Sequence, residues 1–66
     1  MDITKHRTNI ETMLTILIGE LNEAQLTEDE VLAVSVMLPH IVIGSLGLDE
    51  DSAIERALSF IDVVKP

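Results

Sequence analysis

Eighteen consecutive residues, VLAVSVMLPHIVIGSLGL at positions 31 to 48, carry no formal charge, whereas the segments on either side alternate apolar and polar positions with a helical period. In the first segment Ile3, Ile10, Leu17 and Ala24 recur at intervals of seven, and Met13, Leu14, Ile18 and Leu21 fill the intermediate three- and four-residue steps. That spacing predicts an amphipathic helix over about residues 3 to 24. Its polar face holds Lys5, Arg7, Asn9, Glu20, Asn22 and Glu23. Asp2 or Thr4 suits the first cap, and the T-x-x-E pattern of Thr8 and Glu11 offers a later start.

A second helix is announced by LTEDEV at 26 to 31. Thr27 can cap the following amides, Glu30 can reach back to Thr27, and Leu26 and Val31 stand where a hydrophobic staple forms. Three acids in the first turn suit the positive end of the helix dipole. The helix is therefore expected to begin at residue 28. Pro39 removes one backbone donor and disfavours helical geometry at Leu38, so the helix either splits there or kinks and continues to about Leu46. The unchanged apolar pattern favours the kink, with Gly44 and Gly47 ending the helix.

The third segment opens on DEDS at 49 to 52, with Asp49 or Ser52 as cap. Ile54, Ala57, Leu58, Ile61 and Val64 form the expected inward face, and Arg56, Ser59, Asp62 and Lys65 the outward one. The helix should run to about Val64, with Pro66 closing the chain. Short links make consecutive helices antiparallel neighbours. The expected architecture is one all-α domain over residues 1 to 66, a small three-helix unit.

Three environments compete for the uncharged helix. As a membrane span its eighteen residues reach only about 27 Å. Acids flank it on both sides, no Lys, Arg, Trp or Tyr anchors it, and Pro39 and His40 sit at its middle, so a membrane is disfavoured. A lone three-helix monomer would expose several of Val31, Leu32, Val36, Ile43 and Leu46 as one apolar patch. The favoured environment is a contact shared between copies, with a two-fold homodimer the commonest solution. On that reading Ala33, Val36, Met37, His40, Ile43 and Gly44 form the oligomer interface, small residues letting two copies approach. Val34, Leu38, Ile41 and Leu48 would then pack within the subunit.

Size and charge sharpen this picture. Sixty-six residues provide a marginal core, and the absence of cysteine excludes disulfides and thiolate zinc sites, leaving association as the expected source of extra stability. A net charge of −8 argues against direct nucleic-acid binding, and Phe60, the only aromatic residue, provides no platform for stacking bases. Lys5 and Arg7 before MLTILI mimic an export signal, but Glu11 interrupts the pattern and no small-residue cleavage site follows; a cytosolic setting is expected.

Candidate chemistry is sparse. GSLG at 44 to 47 is not a nucleophile elbow and reads as a helix stop. His40 reads as a core or interface histidine whose protonation at a two-fold axis would loosen the assembly below about pH 6. His6 lies between Lys5 and Arg7, which repel a metal cation, and DEDSAIE lacks the glycine of a calcium loop. No catalytic role, cofactor or metal is expected.

Charge placement says more. The basic start of the first helix opposes its own dipole, and an antiparallel hairpin would set it beside Asp49, Glu50 and Asp51. Glu20, Glu23, Glu28, Asp29 and Glu30 gather at the first turn, with Lys65 alone expected to offset them, and offer a dock for a basic protein partner. The expected function is that of a small interaction protein that self-assembles through the central helix and regulates or inhibits a partner by binding it. The alternatives are an assembly holding an anionic metabolite or nucleotide near His40 and the Lys5, His6, Arg7 cluster, and a membrane-active protein built on residues 31 to 48.

Overall fold

The computed structural model describes residues 2 to 65, so Pro66 lies outside the described residues. Three α-helices follow one another: α1 (Ile3–Glu23), α2 (Glu28–Ser45) and α3 (Glu50–Val64), with no strand among the described residues. Local chemistry explains each boundary. Asp2 caps α1 by accepting from the Lys5 amide at 3.1 Å, and Asp49 caps α3 by accepting from the Ser52 amide at 3.1 Å. At the start of α2 the Thr27 hydroxyl accepts from the Glu30 amide (3.2 Å) while the Glu30 carboxylate accepts from the Thr27 amide (2.9 Å), a complete capping box. Leu26 and Val31 are half-buried between exposed neighbours, as a staple requires.

Pro39 lies inside α2, which continues through it to Ser45. The helix ends in a Schellman arrangement: the Leu48 amide donates to the Ile43 carbonyl (3.3 Å) and the Gly47 amide to the Gly44 carbonyl (3.0 Å). Gly47 sits at φ +72°, where a side chain would be strained; Gly44 belongs to the helix and does not terminate it. In the first link the left-handed position falls instead on Gln25, at φ 53°.

Tertiary packing departs from an antiparallel bundle. Both α1 and α2 pack on α3, whereas α1 and α2 barely touch, and the α2 and α3 axes meet at 102°. The most covered line of α3 runs through Ala53 and Val64 with Phe60, 37% exposed, beside them; it includes Val64 of the expected Ile54, Ala57, Leu58, Ile61, Val64 face but is rotated by roughly 75° from the centre of that face at about 100° per residue. Val64, 4% exposed, is the one buried residue among those described. The expected intrasubunit line of α2 is not enclosed either: Val34, Leu38, Ile41 and Leu48 are all exposed, because α2 meets α3 only near their shared corner.

The outcome is an open chain. Its radius of gyration is 13.8 Å, against about 11 Å for a compact domain of this length. Its accessible surface of 5633 Å² exceeds by about 1,500 Å² the area expected of a folded monomer of 7.3 kDa.

Two expectations follow from the helix ends. Gln25→Gly relieves the left-handed strain and should raise the unfolding free energy by up to about 1 kcal/mol in urea melts at fixed chain concentration. Hydrogen bonds from the backbone amide and then the hydroxyl of Thr27 hold the Glu30 carboxyl below its ordinary value. A depressed folded value means that the box contributes above the ordinary carboxylate range and is lost as pH falls through the lowered one. The Thr27 amide resonance should therefore titrate with a midpoint below that of an ordinary glutamate, and Glu30→Gln should abolish the titration.

Candidate functional site

The corner between α2 and α3 encloses an open cleft of about 920 Å³. Pro39, Ile43 and Leu46 form its α2 wall, Leu48 its floor, and Ala53, Ile54, Ala57, Phe60 and Val63 much of its α3 wall. Arg56 is its sole charged lining residue. Helical spacing continues the α2 wall outward through Val36 and Leu32, which are 75% and 57% exposed. Of the six residues expected at an oligomer interface, Ile43 lines the cleft and Val36 extends it. Ala33, Met37, His40 and Gly44 lie on the adjoining side of α2 and are exposed.

Sequence reasoning passed over Arg56, Ser59, Phe60 and Val63 as cleft residues, having placed Arg56 and Ser59 on an outward face. The available signal was the i, i+4, i+7, i+11 series Ala53, Ala57, Phe60, Val64, which marks one stripe of a helix.

A second apolar surface lies on α1. Only its first turns are anchored: Arg7 Nε donates to the Val64 carbonyl at 2.6 Å, and the His6 and Phe60 rings meet edge to face with centroids 5.4 Å apart. Beyond this junction Met13, Leu14, Leu17 and Ile18 are 39–57% exposed. The junction corrects the expected pairing of charges. The basic start of α1 lies against the C-terminal end of α3, not beside Asp49, Glu50 and Asp51, and the compensating group is a helix-end carbonyl. Such a carbonyl has no partner within its own helix, so a guanidinium satisfies both its hydrogen bond and the local dipole.

His40 and the Lys5–His6–Arg7 cluster do not share a site within one chain. His40 Nδ1 lies 3.3 Å from Glu50 Oε2 at the start of α3, whereas His6 and Arg7 meet Phe60 and Val64 near its end, roughly 15–20 Å along the helix.

The acidic end is the third surface. Glu20 and Glu23 in the last turns of α1 and Glu28, Asp29 and Glu30 in the first turn of α2 are all exposed. Lys65, expected to offset them, pairs with Asp62 at 3.0 Å at the end of α3. Among the described residues no base forms an ion pair with the acidic end. The acids of α2 face a favourable dipole, but Glu20 and Glu23 occupy the negative end of α1. Cations arriving from another molecule would relieve that repulsion.

No single helix among the described residues is long and apolar enough to cross a membrane, and none of those residues forms a group of three or more His, Asp or Glu placed to hold a metal ion. Comparison with known proteins returns no matching family model, no similar characterised protein and no similar solved structure.

Arg7→Ala removes the side-chain anchor of α1 and should destabilise the fold by about 1–2 kcal/mol. Arg7→Lys, which cannot reproduce the guanidinium geometry, should recover only part of this in the same melts.

Proposed function

We propose that this chain is a non-catalytic, cytosolic interaction protein that pairs with a second copy of itself through its apolar helix surfaces and presents its acidic end to a basic surface on a partner protein, regulating or inhibiting that partner by occupying it. The observation that carries the reading is the exposed apolar surface. Aliphatic residues on all three helices are open to solvent while a single one of the described residues is buried. The surplus of about 1,500 Å² per chain corresponds to roughly 3,000 Å² in a pair, within the range of obligate homodimers. Covering it would stabilise the fold and association together.

The acidic end supports the recognition half of the reading. Its carboxylates are solvated and form no ion pair with a cation among the described residues, so an incoming Lys or Arg side chain finds a negative potential with little to displace. Thr27 and Glu30 are tied into the capping box, which leaves Glu20, Glu23, Glu28 and Asp29 as the groups whose charge can be altered without unmaking the helix start.

Light scattering and sedimentation should show a dimer at micromolar concentration, whose melting temperature rises with chain concentration; a folded monomer under those conditions overturns the assembly half. The quadruple neutralisation Glu20→Gln, Glu23→Gln, Glu28→Gln, Asp29→Asn should preserve the dimer and the circular dichroism spectrum. It should also abolish salt-sensitive capture of the protein that the unaltered chain retains. Unchanged capture overturns the recognition half.

A further inference from the structure

The cleft and the α1 stripe are two unfilled halves of a contact that one chain cannot make with itself. We propose that the α2–α3 cleft is filled by α1 of a second copy, and that the exchange is reciprocal about a two-fold axis; this rests on the self-association proposed above and specifies its geometry.

Length, area and charge favour α1 as occupant. From Ile10 to Leu21 its stripe extends about 17 Å, close to the roughly 15 Å of the α3 wall from Ala53 to Val63. Within its own chain α1 reaches the cleft only at its Phe60 rim: its first turns are fastened there and to Val64, and its far end barely touches α2. Each copy therefore offers one stripe and one cleft, which is the self-complementary arrangement a two-fold contact needs. The surplus surface of two chains falls within what stable homodimers bury.

Arg56 distinguishes α1 from the uncharged helix as the entering element. It lies in an otherwise apolar wall and forms no ion pair among the described residues. An occupant that leaves this guanidinium without a counter-charge loses affinity through desolvation. The α1 stripe is flanked by Glu11, an acid that lies outside the partner-binding acidic end. A second α2 would bring no acid between residues 31 and 48.

The cysteine-free chain makes the test direct. One batch carries Ile18→Cys at the margin of the stripe, and a second, differently tagged, carries Ser59→Cys in the cleft. After mixing and equilibration, a short bis-maleimide should give the mixed-chain product as the dominant cross-link. Arg56→Glu, at an exposed position, should raise the dimer dissociation constant at least tenfold, with unaltered helical content. A dimer that gives no mixed-chain product, but in which Ala33→Cys chains link to each other, overturns the exchange and leaves self-association standing. A dissociation constant unchanged by Arg56→Glu likewise overturns it. A monomer by native mass spectrometry, bare or carrying a small amphiphile, overturns both the exchange and the assembly on which it rests.

Discussion

The controlling constraint is a shortage of chain. A helix apolar on all sides needs cover over its full circumference, and sixty-six residues divided among three helices provide too few neighbours to give it. The fold responds by packing α1 and α2 separately on α3, so that burial is concentrated at one junction around Val64. Everything else about the molecule follows from what this leaves open: the cleft at the α2–α3 corner, the unpaired α1 stripe and the excess of accessible surface.

Helix ends were legible because they are decided locally. The capping box at Thr27 and Glu30, the cap at Asp49 and the glycine at 47 each involve groups within a few residues of one another, and their side-chain chemistry admits few alternatives. The passage of α2 through Pro39 was legible for a related reason. One lost donor to the Ser35 carbonyl is outweighed by the bonds on either side, in a segment whose apolar pattern does not change.

Packing was less legible, and α2 shows why. Where both faces of a helix are apolar, hydrophobic periodicity cannot say which one is covered. The Val34, Leu38, Ile41, Leu48 line was indistinguishable from its neighbours on composition, and the structure encloses none of them. On α3 the error was smaller. Its face was recognised but centred too far from Phe60, because the aliphatic positions Leu58 and Ile61 pull the apparent centre around the helix. Charge reasoning met the same limit: Arg7 required compensation, but a carbonyl at the end of a distant helix leaves no mark in sequence, whereas Asp49, Glu50 and Asp51 do. For the acidic end, residues adjacent in sequence remain adjacent in space, and its composition was readable from the chain.

The cleft and the acidic end occupy different parts of the fold, and this separation gives the proposed assembly its consequence. The acids cluster around the α1–α2 turn, while the cleft opens at the α2–α3 corner, at the other end of α2. Pairing through the stripe and cleft would leave the acidic end of each copy in water. Two such ends on one rigid pair convert a modest electrostatic attraction into bivalent binding, provided that the partner presents basic surfaces at a matching separation. Association would then set both the stability of the chain and its avidity, since a solitary copy has neither a covered core nor a second acidic end.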